Sequence, residues 1–343
     1  MTIRTIIIVF LFLFSIPSFS QENTDHTSIL FYNVENLFDT KDDPQTEDDE
    51  YVPSSGRYWT HKRLNKKLLD ISKVILSASG YNIPTVVALC EIENRNILER
   101  LITDTPLNSK SYKIIHKESP DHRGIDVAFL YNSNKFVPIN YKHYPLKNRK
   151  DSILRTREIL YVSGVLNGGD TIHFFVNHWP SRYSGFLETK QLRNSAASLL
   201  RKKVDLLFEQ FHSPKIVILG DFNDNPTDES LYKILKAKKV NGKVLNSALY
   251  NLSYDWGEDG KGTLKYQSQW SVFDQIIVSG FLLNSNFGLV AKPENAKIIN
   301  HSFLYEKDEK YRGLKLKRTY YGFSYMGGFS DHLPVLLQLE NLD

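Results

Sequence analysis

Residues 215–224 read KIVILGDFND. Ile216-Val217-Ile218-Leu219 is an unbroken apolar run, so a β-strand built from it has no polar face and must be covered on both sides. The chain then turns polar at once, with Asp221 and Asn223 beyond Gly220. The same grammar recurs on either side. Strands are expected at 28–33, 85–90, 112–116, 125–131, 158–166, 171–177, 273–279 and 333–339 as well as at 215–220, and several are near-continuous apolar runs. Two stretches carry helical spacing instead. Leu64, Leu68, Ile71 and Ile75 form one, stopped by Gly80; Leu192, Ala196, Leu199, Val204, Leu207 and Phe211 form the other, ending before Pro214. Doubly covered strands with a few helices point to the α/β class, as a four-layer α/β/β/α sandwich with two packed mixed sheets flanked by helices.

Length and composition bound the rest. The chain has 343 residues, with 43 basic against 39 acidic, a formal charge of +4. That is too weak for an arm-type nucleic-acid binder and compatible with a polyanionic substrate. A single cysteine excludes an internal disulfide and any multi-cysteine metal site. Cys90 ends an apolar run and reads as a small buried hydrophobe. Arg4, the apolar stretch Ile6 to Phe14 and the small residues Ser18 and Ser20 read as a signal peptide over 1–20, with Gln21 as the mature terminus. The apolar stretch is shorter than the ~18–20 residues of a membrane span. The expectation is therefore a secreted or periplasmic chain with no transmembrane segment once mature. Nothing divides residues 21–343, which favours one catalytic domain, monomeric and with no stable protein partner. The acidic run DTKDDPQTEDDE at 39–50 lacks calcium-loop spacing and reads as a solvated loop.

Chemistry enters where the strands end. Asn33 closes ILFYN and Glu91 closes VVALCE; Asn177 and His178 close IHFFVNH; Asp221 and Asn223 close the GDFND strand. Asp274 opens DQIIVS, and Asp331 with His332 precedes the final strand in SDHLPV. One aspartate after a glycine is ordinarily a turn or a cap. A lone histidine beside Trp and Pro is ordinarily a loop residue. Repetition of such groups at one end of successive strands points instead to a single polar site on one rim.

Taken in order, YNVENLF, CEIEN, RGIDVAFLY, NHWPSR, GDFND, FDQIIVS and SDHLPV resemble the endonuclease/exonuclease/phosphatase superfamily, from Ile29 to Leu337. That resemblance implies hydrolysis of a phosphate ester at a divalent-metal site, with Mg²⁺ the expected ion and Mn²⁺ or Ca²⁺ as alternatives. It implies Glu91, Asn33 and Asp331 as metal residues. It implies Asp221 to orient or deprotonate water, Asn223 to donate to a phosphate oxygen, and His178 and His332 to flank the phosphate. Asp274 is the expected partner of His332, and Asp126 in RGIDVAFLY that of His178. Arg182 and Arg318 are candidates for gripping substrate, Arg318 within a stretch that mixes Lys315 and Lys317 with Tyr320, Tyr321 and Phe323 in a pattern suited to nucleic acid. The leading expectation is an exported endonuclease. A phosphomonoesterase or a sphingomyelinase-like headgroup hydrolase is the alternative, the latter because Trp256 and Trp270 could mark an exposed aromatic hairpin. A binding protein with a decayed site is disfavoured by the intact polar set.

Overall fold

The computed structural model describes residues 27–342 other than 81, 149, 167, 168 and 184. The expected signal peptide and the Gln21 terminus lie outside the described residues. Among the described residues nineteen strands and four α-helices follow in chain order. They are β1 (Thr27–Leu37), α1 (His61–Ser77), β2 (Val86–Ile92), α2 (Arg95–Thr103), β3 (Tyr112–His116), β4 (Asp126–Asn132), β5 (Phe136–Tyr144), β6 (Ile159–Leu166) and β7 (Thr171–His178). Then come α3 (Phe186–Gln210), β8 (Lys215–Asp221), β9 (Ala237–Lys239), β10 (Leu249–Asn251), β11 (Leu264–Tyr266), β12 (Gln269–Ser271) and β13 (Asp274–Ser279). The chain closes with α4 (Gly280–Leu283), β14 (Gly288–Ile298), β15 (Tyr305–Lys307), β16 (Leu314–Leu316), β17 (Tyr320–Tyr321), β18 (Ser324–Tyr325) and β19 (Val335–Leu342). One sheet runs β14-β19-β1-β2-β4-β3 and the other β5-β6-β7-β8-β13-β10-β9. Both are mixed: β1–β2 and β7–β8 are parallel, bridged by α1 and α3, and most other pairs are antiparallel.

The unbroken apolar runs are explained by three separate cores. Phe31, Ala88, Phe129, Phe174, Val217, Leu219 and Leu337 pack between the sheets. Leu30, Tyr32, Val87 and Leu89 face the other way, onto Leu64, Leu68 and Ile71 of α1 and Ile97 and Leu98 of α2. Phe175, Ile216 and Ile218 face Ala196, Leu200 and Val204 of α3. Alternate residues of one strand thus feed different cores, as period two requires.

Helix α3 buries Ala196, Val204 and Leu207 as its spacing predicts, but the ends of the stripe differ. Leu192 and Phe211 are exposed, while Arg193 is buried at its inner face. Two long strands lacked a legible signal. β5 is an edge strand with Pro138 inside it and Val137, Ile139 and Tyr141 in solvent. β14 carries Pro293 and a register shift between Ala291 and Ala296. Trp256 and Trp270 are both half-buried and pack against core clusters rather than standing out on a hairpin. No helix among the described residues is long and apolar enough to cross a membrane.

Candidate active site

Both sheets deliver polar strand ends to one rim, and the strands deform to do it. The register of β1 against β2 shifts between Asn33 and Leu37, and that of β2 against β4 between Cys90 and Ile92. Such irregularities re-aim side chains. Glu35, Asn36, Glu91 and Asn223 all take left-handed backbone, with φ of 54°, 51°, 62° and 51°. That conformation costs about 1–3 kcal/mol for a residue with a Cβ. Four cases on one rim mark it as the place where side-chain position overrides backbone comfort.

Asp221 is the hub. Asn33 Nδ2 donates to its Oδ2 at 3.0 Å, and the backbone N–H of Asn223 donates to its Oδ1 at 2.9 Å. Both imidazoles approach the same Oδ2: His178 Nε2 at 3.8 Å and His332 Nε2 at 3.8 Å. Glu91 meets the same nitrogen of His178, with Oε1 3.8 Å from Nε2, and its Oε2 accepts from the Asn36 N–H at 2.8 Å. His332 Nδ1 meets Asp274 Oδ2 at 2.7 Å, the partnership expected from sequence.

Burial sets the electrostatics. Asp221 and Asp274 are direct cross-strand partners on β8 and β13, both buried. Burial, helped by the Asp274 charge and opposed by His332, raises the Asp221 carboxyl to about 6. Burial disfavours the His332 cation, but Asp274 and Asp221 outweigh it and hold this imidazole well above its ordinary range. His178 goes the other way. Burial, with Arg157 and Arg123 nearby, holds it well below the ordinary histidine value, and its buried Nδ1 has no hydrogen-bond partner. The site therefore pairs a cationic imidazole with a neutral one across a carboxylate that titrates near neutrality.

The donor set suits a hard divalent cation. Glu35, Glu91, Asp221, Asp274 and Asp331 cluster around Arg318, Lys67 and the His332 cation, five carboxylates about three cations. Ligand atoms of Asp221, Asp274 and His332 lie within 4.8 Å of one another, but His332 is a cation bound to Asp274. The oxygen donors open to an ion are therefore Asp221 and Glu91, which converge on Asn33 Nδ2 at 3.0 and 3.4 Å. Oxygen donors without a thiolate favour Mg²⁺-like ions over softer metals.

Several expectations are corrected. Asp126 does not partner His178: its Oδ2 meets His116 Nε2 at 3.2 Å and its Oδ1 accepts the Ser119 N–H at 2.7 Å. β3 lies beside β4, which brings His116 to the Asp126 carboxylate. Arg182 is not available to substrate. Its fork binds Asn223 O, Asp224 and Asp228, each at 2.6 Å, between the rings of Phe186 and Phe273. Buried Arg193 grips the same Asp224 from α3, so these two arginines brace the GDFND turn. Arg318 reaches the site but holds Glu35 at 3.0 Å and Asp331 at 2.8 Å, so Asp331 faces a guanidinium instead of standing free for a metal. Asn33 presents its NH₂ to the carboxylates, because its Oδ1 accepts the Glu35 N–H at 3.0 Å. Asn223 likewise spends one amide hydrogen on Trp179 O, at 3.0 Å.

Three members of the rim were not singled out from sequence. Glu35 is two residues beyond Asn33 and buried, accepting from Arg318 and from the Thr319 N–H. Its signal was a carboxylate inside the apolar frame of YNVENLF. Lys67 is buried on the apolar face of α1 between Leu64 and Leu68, and burial lowers its ammonium to about 8. A lysine within that stripe was the visible anomaly. Arg157 is buried at the mouth of β6, bound to Asp121 at 2.8 Å and to Trp179 O at 2.7 Å. Its local sequence carried no mark.

Residues 28–341 match the family model described as Endonuclease/Exonuclease/phosphatase family. A search of curated proteins finds no match. Among solved structures, an endonuclease/exonuclease/phosphatase family protein of Bacteroides thetaiotaomicron aligns at 16% identity and a TM-score of 0.57, covering 92% of this chain and 94% of that one. The mannosyl-6-phosphatase Bt3783 of the same species aligns at 16% identity and 0.57, covering 91% and 99%. The Danio rerio TDP2 complexed with a single-strand DNA product aligns at 14% identity and 0.54, covering 92% and 99%. At these identities the structural likeness speaks for the fold, which is the two-sheet sandwich of this family.

Proposed function

Since the chain belongs to the endonuclease/exonuclease/phosphatase family and is on that ground a phosphoric ester hydrolase, we propose that it is a divalent-metal-dependent phosphodiesterase acting on nucleic acid. One observation carries this reading: Asp221, with its carboxyl at about 6, stands between the cationic His332 and the neutral His178. A carboxylate poised near neutral pH accepts a proton from water without being locked in either state. The His332 cation, fixed by Asp274, presents Nε2–H where negative charge grows on the phosphate. His178 Nε2 lies between Glu91 and Asp221 and orients groups bound there. The Asn33 amide holds Asp221 and Glu91 side by side against their mutual repulsion.

Glu91 is the residue we assign to hold the ion, with Asp221 beside it, since Asp274 is committed to His332 and Asp331 to Arg318. When bound, Mg²⁺, or Mn²⁺ or Ca²⁺ in its place, supplies Lewis-acid polarisation of the phosphate and leaving oxygens.

Nucleic acid is favoured over a small monoester by the ground on the His332 side. A cleft of about 600 Å³ runs from Asp331 and Arg318 past Lys307, Lys310 and Lys315 to the exposed ring of Tyr321, with Glu306, Asp308 and Glu309 interspersed in its lining. Cations mixed with an open ring suit backbone contact and base stacking. The half-buried state of Trp256 and Trp270 speaks against a membrane-dipping hairpin. We further propose export to the periplasm or medium after removal of residues 1–20, and action as a monomer.

The test is hydrolysis by purified mature protein of plasmid DNA, single-stranded DNA, RNA, sphingomyelin and p-nitrophenyl phosphate, with Mg²⁺, Mn²⁺, Ca²⁺ or EDTA. Metal-dependent cleavage of nucleic acid, lost in His332→Ala, is expected. Turnover confined to the monoester or to sphingomyelin would refute the substrate assignment.

A further inference from the structure

We propose that a second anion site, built by Arg123, Arg155 and Arg157 on the His178 side of the rim, holds a phosphate adjacent to the one being cleaved. The proposal rests on the phosphodiesterase reading above and extends it to a substrate carrying more than one phosphate. A cavity of about 390 Å³ lies there, lined by these arginines with His122, Pro180 and Tyr183 among others, and no carboxylate is in its lining. Among the described residues the only acid engaged with the arginines is Asp121, which binds Arg157 Nη1 at 2.8 Å and lies 3.8 Å from Arg123 Nε. Three guanidinium groups thus face one carboxylate, and among the described residues Arg155 has no hydrogen-bond or ion-pair partner.

A second, independent feature points to a ligand. The Arg157 side chain is 4% exposed, yet its Nε donor is buried without any acceptor. An orphan buried donor on a charged group costs about 1–3 kcal/mol or more, so the Arg157 cation is only partly compensated within the protein and adds to the positive potential of the cavity it lines. Asp121 and Trp179 O consume other hydrogens of the fork, so Arg157 is held rigidly while Arg155 is exposed and free to close over a bound anion.

Position makes this a flanking site. The pocket follows directly on His178-Trp179, and Arg157 and Arg123 lie close enough to the His178 imidazole to depress its basicity. Along the rim the order is Arg157 at the mouth of β6, His178 on β7 and Asp221 on β8. Neighbouring strands are ~4.8 Å apart, so β6 stands about 10 Å from β8. That is too far for the oxygens of one phosphate to serve both, and within reach of the next phosphate on the same strand. Leu154 and Leu192 give the cavity an apolar wall on which a sugar or base can rest.

The test uses the mature protein and its Arg155→Ala, Arg155→Lys and Arg123→Ala/Arg155→Ala variants. Binding of a fluorescent pentathymidylate in EDTA is followed by anisotropy from low to moderate salt. Hydrolysis with Mg²⁺ is compared on that oligonucleotide and on bis-p-nitrophenyl phosphate, a diester with a single phosphate. A lost phosphate contact on a single strand should flatten the slope of log K against log[salt] by about 0.7. In Arg155→Ala the ratio of kcat/KM on oligonucleotide to that on the small diester should fall about tenfold, a loss in the range of one charge-assisted contact. Arg155→Lys should recover part of it. Unchanged slope and ratio in the double variant would overturn the subsite even if the enzyme cleaves nucleic acid. A flattened slope in a protein that cleaves no diester would keep the anion site and refute the phosphodiesterase reading instead.

Discussion

Replacing Asp221 by asparagine should make the metal-free protein more stable at neutral pH while abolishing its activity. The carboxyl is 2% exposed and sits opposite Asp274, and burial raises it from 3.8 to about 6. A group raised in the folded state contributes its full stability below the unfolded value and loses it as pH climbs through the folded one. For Asp221 that window runs from about 4 to about 6. The loss is about 3 kcal/mol at neutral pH, since each unit is worth about 1.36 kcal/mol. Asparagine removes this cost but gives part of it back. Both Asp221 oxygens accept hydrogen bonds, from Asn33 Nδ2 and the Asn223 N–H, and an amide can accept only one of them. The forfeited bond is worth about 1 kcal/mol, more if the donor is left orphaned. A net gain of about 1–2 kcal/mol follows at pH 7.5 in EDTA. The sign should reverse at pH 4, where the wild-type carboxyl is already protonated. Thermal unfolding of both proteins at pH 4 and pH 7.5, with and without Mg²⁺, measures it. An Asp221→Asn variant less stable than the wild type at both pH values, in EDTA, would refute the electrostatic account of the site.

Three further outcomes are expected. Asp126→Asn should lower thermal stability by about 1–3 kcal/mol through its His116 and Ser119 bonds. Its kinetic effect should simply multiply that of His178→Ala; a non-additive kinetic cycle would return Asp126 to the catalytic set. Glu91→Gln should weaken Mg²⁺ binding by calorimetry and lose activity at low Mg²⁺, with partial rescue at high Mg²⁺. An unaltered isotherm would remove Glu91 from the ion. Terminal mass spectrometry of the exported protein should find Gln21 first, and a retained Met1 would exclude cleavage after Ser20.

Much of this molecule was legible one short window at a time. Ile216 to Leu219 needs two covered faces whatever its neighbours are, because alternate residues of a strand point opposite ways, and the two cores on either side of β8 are the consequence. The polar strand ends were legible for the same local reason, although Glu35, Lys67 and Arg157 on the rim were not. Partnerships were not. Which acid meets which imidazole depends on how strands from distant parts of the chain align, and the shifts at Asn33 and Glu91 change that alignment where the chemistry is. Asp274 found His332 as expected, whereas β3 brought His116 to Asp126 and left His178 Nδ1 without a partner. Arg182 and Arg318 read as free cations because a sequence shows charge without showing its neutralisation. Only the fold set Asp224 and Asp228 against the first, and Glu35 and Asp331 against the second. Residue type and period are properties of a few consecutive residues, while burial, pairing and proton affinity belong to the space that several hundred residues enclose together.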